Sequence, residues 1–175
     1  MADDGIQSGA LEQSLENAKS MSIIVTKGTL DWAYPPFILA TTAAAMDVKV
    51  SMFFTFYGLG LLKKKLNLRV SPLGNAAMEM PMMGGHMRMP NMLAMLPGMT
   101  GIASSMMKGM IKKKGVASIE DLREAAALSD VQMIACQMTM DLFEYKPSDM
   151  LDDVEYGGAA TYMENALKSD INLYI

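Results

Sequence analysis

The sequence predicts an α/β fold with helices wound around a mostly parallel sheet. Three observations lead there. Short apolar runs rich in β-branched and aromatic residues recur at Met21 to Thr26, Val48 to Tyr57 and Val131 to Ala135. Helical signals separate them, and strand, helix, strand at short spacing calls for right-handed crossovers between parallel neighbours. The chain's single cysteine, Cys136, falls where the third run gives way to a helical pattern.

Taken in order, residues 1–20 form a polar arm carrying Asp3, Asp4, Glu12 and Glu16 against Lys19. Met21 to Thr26 is a buried strand ended by Lys27-Gly28-Thr29. Pro35 and Pro36 fit the first turn of a helix running to about Met46, where a missing amide is tolerated. Val48 to Tyr57 is the second strand, punctuated by Gly58 and Gly60. Ile102 to Lys114 reads as a helix stopped at Gly115, and Ser118-Ile119-Glu120-Asp121 opens another with a serine cap and an acidic first turn. Val131 to Ala135 follows as the third strand. Beyond Cys136, a helix start is expected at Pro147-Ser148-Asp149, Gly157-Gly158 opens a helix to Lys168, and Ile171 to Ile175 is a closing strand.

One segment departs from this alternation. Twelve of the 21 methionines lie between Met78 and Met110, and proline and glycine break the stretch at about 66–101 into loop and short helix. Methionine suits irregular packing and adaptable contacts, so this insertion is expected over a sheet edge or in an oligomer interface. Residues 21–175 are then a single domain, as 175 residues allow.

Composition narrows the function. Fifteen basic against 19 acidic residues give a net charge of -4, with no general attraction for nucleic acid or anionic lipid. The runs Lys63-Lys64-Lys65 and Lys112-Lys113-Lys114 read as solvated helix ends. No signal peptide is expected, and Asp47, Lys49 and Pro35-Pro36 break up the longest apolar region, so no transmembrane span is expected either. One cysteine allows no internal disulfide and suits a reducing, cytoplasmic setting.

Cys136 is the candidate catalytic residue. At the carboxyl end of a strand and the start of a helix, free amides and the helix dipole favour thiolate over thiol; the competing reading is a small buried hydrophobe. His86, the one histidine, could pair with Cys136 only if the insertion folded back, and otherwise is a loop residue. Soft thioethers beside His86 invite Cu(I), against which stand their irregular spacing and their use throughout the core. Gly58-Leu59-Gly60 is a fragment of a dinucleotide loop without its third glycine, and Gly157-Gly158-Ala159-Ala160-Thr161 could present amides to an anion or permit close packing.

Ile134-Ala135-Cys136-Gln137-Met138-Thr139-Met140-Asp141-Leu142, followed by Asp152 to Tyr162, resembles the DsrE/DsrF-like family, in particular its methionine-rich branch often labelled peroxiredoxin-family. Ile23 to Gly28, Phe53 to Gly58 and Met95 to Thr100 are similar to the same branch, so the likeness covers about residues 21–175. It implies a Rossmann-like or flavodoxin-like three-layer sandwich, commonly in homo-oligomers. It also implies a cytoplasmic sulfur carrier without a cofactor, loaded as a persulfide on Cys136 and exchanging with rhodanese-like sulfurtransferases and TusA-like carriers. Some relatives carry a second cysteine in the insertion; this chain has none, so no two-cysteine step is expected. Lys27, after the first strand, could help hold a persulfide anion or be a solvated loop lysine. Two other functions remain open: an assembly module working through the insertion, and a soft-metal or redox-sensing protein.

Overall fold

The computed structural model describes residues 20–71, 79–82, 85–88 and 98–175, with backbone alone at 79–82 and 85–88. Five strands form one all-parallel sheet: β1 (Ser20–Val25), β2 (Lys49–Phe54), β5 (Gln132–Cys136), β6 (Glu155–Gly157) and β7 (Ile171–Tyr174), in the order β6-β5-β2-β1-β7. From β1 the chain steps outward through β2, β5 and β6, then returns to lay β7 on the other side of β1.

Strand alternation divides the two faces of this sheet. On one, Ile23, Val25, Met52, Phe54, Met133 and Ala135 pack with α1 (Leu30–Ala45), through Ala33, Phe37 and Ala40, and with α3 (Ile119–Leu128), through Ile119 and Ala126. Phe37 and Phe54 are fully buried with ring centroids 5.8 Å apart, and truncating either to alanine would cost about 3–5 kcal/mol. On the other face Phe53, Ile134 and Cys136 form a small separate cluster against Tyr162 of α5 (Ala159–Ala166). The thiol therefore belongs to the thinner side of the sandwich.

The helix starts follow capping chemistry. Ser118 accepts from the Asp121 amide at 3.1 Å and Asp121 accepts from the Ser118 amide at 2.9 Å, a reciprocal capping box at the head of α3. α2 (Met99–Lys113) ends with Lys112 and Lys113 in its last turn and Gly115 at φ 68°, the expected cationic, left-handed stop.

Several boundaries move from the sequence reading. α1 starts at Leu30, so Pro35 and Pro36 lie inside it rather than in its first turn. The helix tolerates them because its buried stripe includes Pro36 itself, and its first amide, Leu30, is satisfied by the Arg69 carbonyl at 2.8 Å. The second strand stops at Phe54, and Phe56–Leu62 is a 3₁₀ helix, so Gly58-Leu59-Gly60 is a helical turn and not a dinucleotide loop. Gly58 is needed there because a Cβ would lie 2.2 Å from the Val25 carbonyl oxygen; reciprocally, a Cβ on Gly28 would lie 2.2 Å from that of Tyr57. Gly157 ends β6 and only Gly158 caps α5, while Pro147–Asp149 is a single 3₁₀ turn. Ser20, assigned to the arm, is the first residue of β1.

Within the insertion, where loop and short helix were expected, Glu79–Met82 (β3) and Gly85–Arg88 (β4) pair as an antiparallel hairpin, setting His86 opposite Pro81. The rest of the insertion, on which the expectation of an edge or interface position rests, falls outside the described residues. No helix among the described residues is long and apolar enough to cross a membrane.

Candidate functional site

Cys136 is the last residue of β5 and the N-cap of α4 (Gln137–Leu142). The apolar run Val131 to Ala135 completes the sheet, and Cys136 pairs with Gly157 of β6. The chain then turns into a helix within one residue, so the first amides of α4 converge on the sulfur. In an open parallel sheet this is the end where working groups collect. The site is not, however, at the point where strand order reverses, between β1 and β7: it lies two strands away, between β2 and β6.

The thiol is only 4% exposed. Burial pushes its pKa up, yet the net shift is downward, because the Thr139 hydroxyl and amide, the Thr55 hydroxyl and the Met138 amide together favour the thiolate more strongly.

Thr139 and Thr55 are the residues that the sequence reading missed. Thr139 occupies the third helical position of α4, where a cap residue's side chain meets the helix, and it is fully buried. The cap-plus-three spacing from Cys136 was a usable signal. Thr55 follows β2, on the same face as Phe53 by strand alternation, and its hydroxyl lies 3.1 Å from that of Thr139. The Phe56 amide donates to the same Thr139 oxygen at 3.2 Å. Only the pairing of β2 with β5 brings Thr55 to Cys136, and local sequence does not reveal that register.

The other candidates fall elsewhere. The Lys27 ammonium sits 3.1 Å from the centroid of the Trp32 ring, so what it engages is an aromatic face. His86 stands on β4. Lys63 lies over the Tyr145 ring and Lys64 pairs with Asp152 at 2.7 Å, so the first basic run is partly engaged at the surface. Of the two glycines, Gly157 serves packing, since a Cβ there would come within 2.9 Å of Thr161, whereas a Cβ on Gly158, the N-cap of α5, would meet nothing within 4 Å. No three of the His, Cys, Asp and Glu side chains among the described residues are grouped so as to hold a metal ion.

The all-parallel sheet agrees with what comparison with known proteins finds. The chain belongs to the DsrE/DsrF/DrsH-like family, which it matches over residues 17–174. It is 59% identical over 157 residues to the sulfur carrier protein DsrE2 of Allochromatium vinosum, covering 90% of this chain and 98% of that relative. It is also 32% identical over 166 residues to the uncharacterized protein YrkE of Bacillus subtilis, covering 91% and 99% respectively. Among solved structures, the ychN protein from E. coli shares the fold with a TM-score of 0.52 at 11% identity, covering 90% of this chain and 99% of that one.

Proposed function

We propose that this protein is a sulfur carrier in which Cys136 takes up sulfane sulfur as a persulfide and passes it to a partner's thiol. The observation that carries the reading is the thiolate-stabilising setting of Cys136 at the strand end, in a chain so similar to a named sulfur carrier. Thiol–sulfane exchange requires an anionic sulfur of moderate basicity, and the donors around Cys136 supply it without a histidine or a metal. With a single thiol in the chain, sulfur enters and leaves through the same atom. Rhodanese-like donors and TusA-like acceptors are the partner classes that such exchange suits, in the cytoplasm. Self-association is part of the proposal: α1 turns Trp32, Ile38 and Leu39 outward, its C-cap Met46 is exposed, and its only charged residue is Asp31.

Mass spectrometry after incubation with polysulfide, or with thiosulfate and a rhodanese, tests the reading. A sulfur adduct on Cys136 that is lost on adding an acceptor thiol is expected. Labelled sulfur moving from donor to acceptor at an undiminished rate with Cys136→Ser would defeat it.

A further inference from the structure

Resting on the carrier reading, we propose that Thr139 is the positioning residue of the site: a hydroxyl chain pinned by the Phe56 amide points one proton at the sulfur, and so makes Cys136 a good leaving group when sulfur is handed on.

The argument is a count of protons. The Thr139 oxygen has one proton and two lone pairs. The Phe56 amide occupies one lone pair, at 3.2 Å, and the Thr55 hydroxyl lies 3.1 Å away. If Thr55 donates to Thr139, the Thr139 proton is free for the sulfur; if Thr139 donates to Thr55, the Thr55 proton is. Both arrangements place one proton between the two oxygens and leave the other free for the sulfur, and both hydroxyls act to lower the thiol's pKa.

The backbone pins one end of this chain. Phe56, whose amide donates to Thr139, has φ 47°, in the left-handed region that large side chains avoid. The turn carrying it is anchored at its far end by the buried Arg123 of α3, which donates to the carbonyls of Leu61 at 2.9 Å and Lys63 at 2.7 Å. The apolar neighbours of the sulfur are Phe53, Ile134 and Tyr162, and Cys136 pairs with Gly157 of β6. No charged side chain among the described residues is a cause of the thiol's shift, so neutral donors set the sulfur's basicity.

The consequence differs between the two half-reactions. In delivery the partner's thiolate attacks the outer sulfur of the protonated persulfide, the new S–S bond forms, and the old one breaks. Its electron pair stays on the Cys136 sulfur, which leaves as thiolate, and the persulfide proton travels with the transferred sulfur. A better-stabilised leaving thiolate speeds that step, whereas in loading the same stabilisation lowers nucleophilicity and offsets the gain in thiolate fraction. Losing the hydroxyl chain should therefore slow delivery more than loading.

The test compares Thr139→Val, Thr139→Ala, Thr139→Ser and Thr55→Val. Thiolate formation is followed by ultraviolet absorbance against pH, and sulfur loading and release to a small thiol by mass spectrometry. Thr139→Val or Thr139→Ala should raise the titration midpoint by about one pH unit, the scale of one hydrogen bond to a charged group. Thr139→Ser should restore it, and Thr55→Val should move it less, because the Thr139 hydroxyl is the larger of the two contributions. Release should slow more than loading. An unchanged midpoint in the folded Val or Ala variant, or equal slowing of both steps, overturns the proposal; if the valine variant does not fold, the alanine and serine variants decide. A protein that takes up no sulfur at all defeats the carrier reading instead, while the midpoints still judge the hydroxyl chain.

Discussion

At the scale of the residue, the downward pKa shift of Cys136 links chemistry to stability. A free thiol ionises near 8.5, and the folded value lies lower because the Thr139, Thr55 and Met138 donors outweigh burial. A group with a depressed folded pKa stabilises the native state above its unfolded value and loses that contribution as pH falls through the folded one. The stability difference between the native chain and Cys136→Ala should therefore grow as pH rises toward about 8.5 and then level off. Urea titrations at a series of pH values measure it, and a difference independent of pH would mean that the sulfur is not stabilised as an anion. The cysteine's role was legible because it is unique and sits where one periodicity replaces another. Thr55 was not, because its place beside Cys136 depends on the pairing of strands about 80 positions apart in sequence.

Elements differ in how firmly they are held, and one of the less buried among them lies over the site. α5 has no fully buried residue, yet its Tyr162 lies on Phe53, with ring centroids 5.4 Å apart, in the cluster that contains Cys136. Such an element opens more readily than the sheet beneath it. Tyr162→Ala should raise the alkylation rate of Cys136 by roughly two- to tenfold, the equivalent of one aromatic pair; an unchanged rate would mean that access lies elsewhere. At the head of α3, Ser118→Ala should cost about 1 kcal/mol in denaturant unfolding through loss of the cap. That cap was readable from the Ser-x-x-Asp spacing alone. The start of α1 was not, since Pro35 and Pro36 look like helix openers and only the contact with Arg69 reveals an earlier turn. Likewise β6, three residues long, is too short to leave a periodic trace.

For the whole molecule, the outward face of α1 carries the prediction about assembly. Replacing Ile38 and Leu39, which are 44% and 40% exposed, by lysine should leave the fold unchanged by circular dichroism and reduce the particle size measured by light scattering. An unchanged size would remove this face from the account of self-association. The parallel α/β architecture was legible as a whole because the buried runs are short, β-branched and separated by helices. The strand order was not, because nothing local to Ile171–Tyr174 says that it lies against Ser20–Val25.

That last pairing has a consequence for how the chain comes together during synthesis. β1 leaves the ribosome well ahead of one of its two neighbours, which is built from residues about 150 positions later: the Thr26 amide and hydroxyl both reach the Ile175 carbonyl, at 2.8 and 3.0 Å, and the Ile175 amide returns to Ile24 at 2.9 Å. Until those residues emerge, the strand at the heart of the sheet keeps a row of unpaired amides and carbonyls along one side. Over that interval the nascent chain carries an open edge, the state most prone to pairing with a stranger. A premature stop ahead of Ile171 would leave that edge bare for good. Its product should be found in the insoluble fraction even though the thiol, the helix behind it and both threonines have all been made.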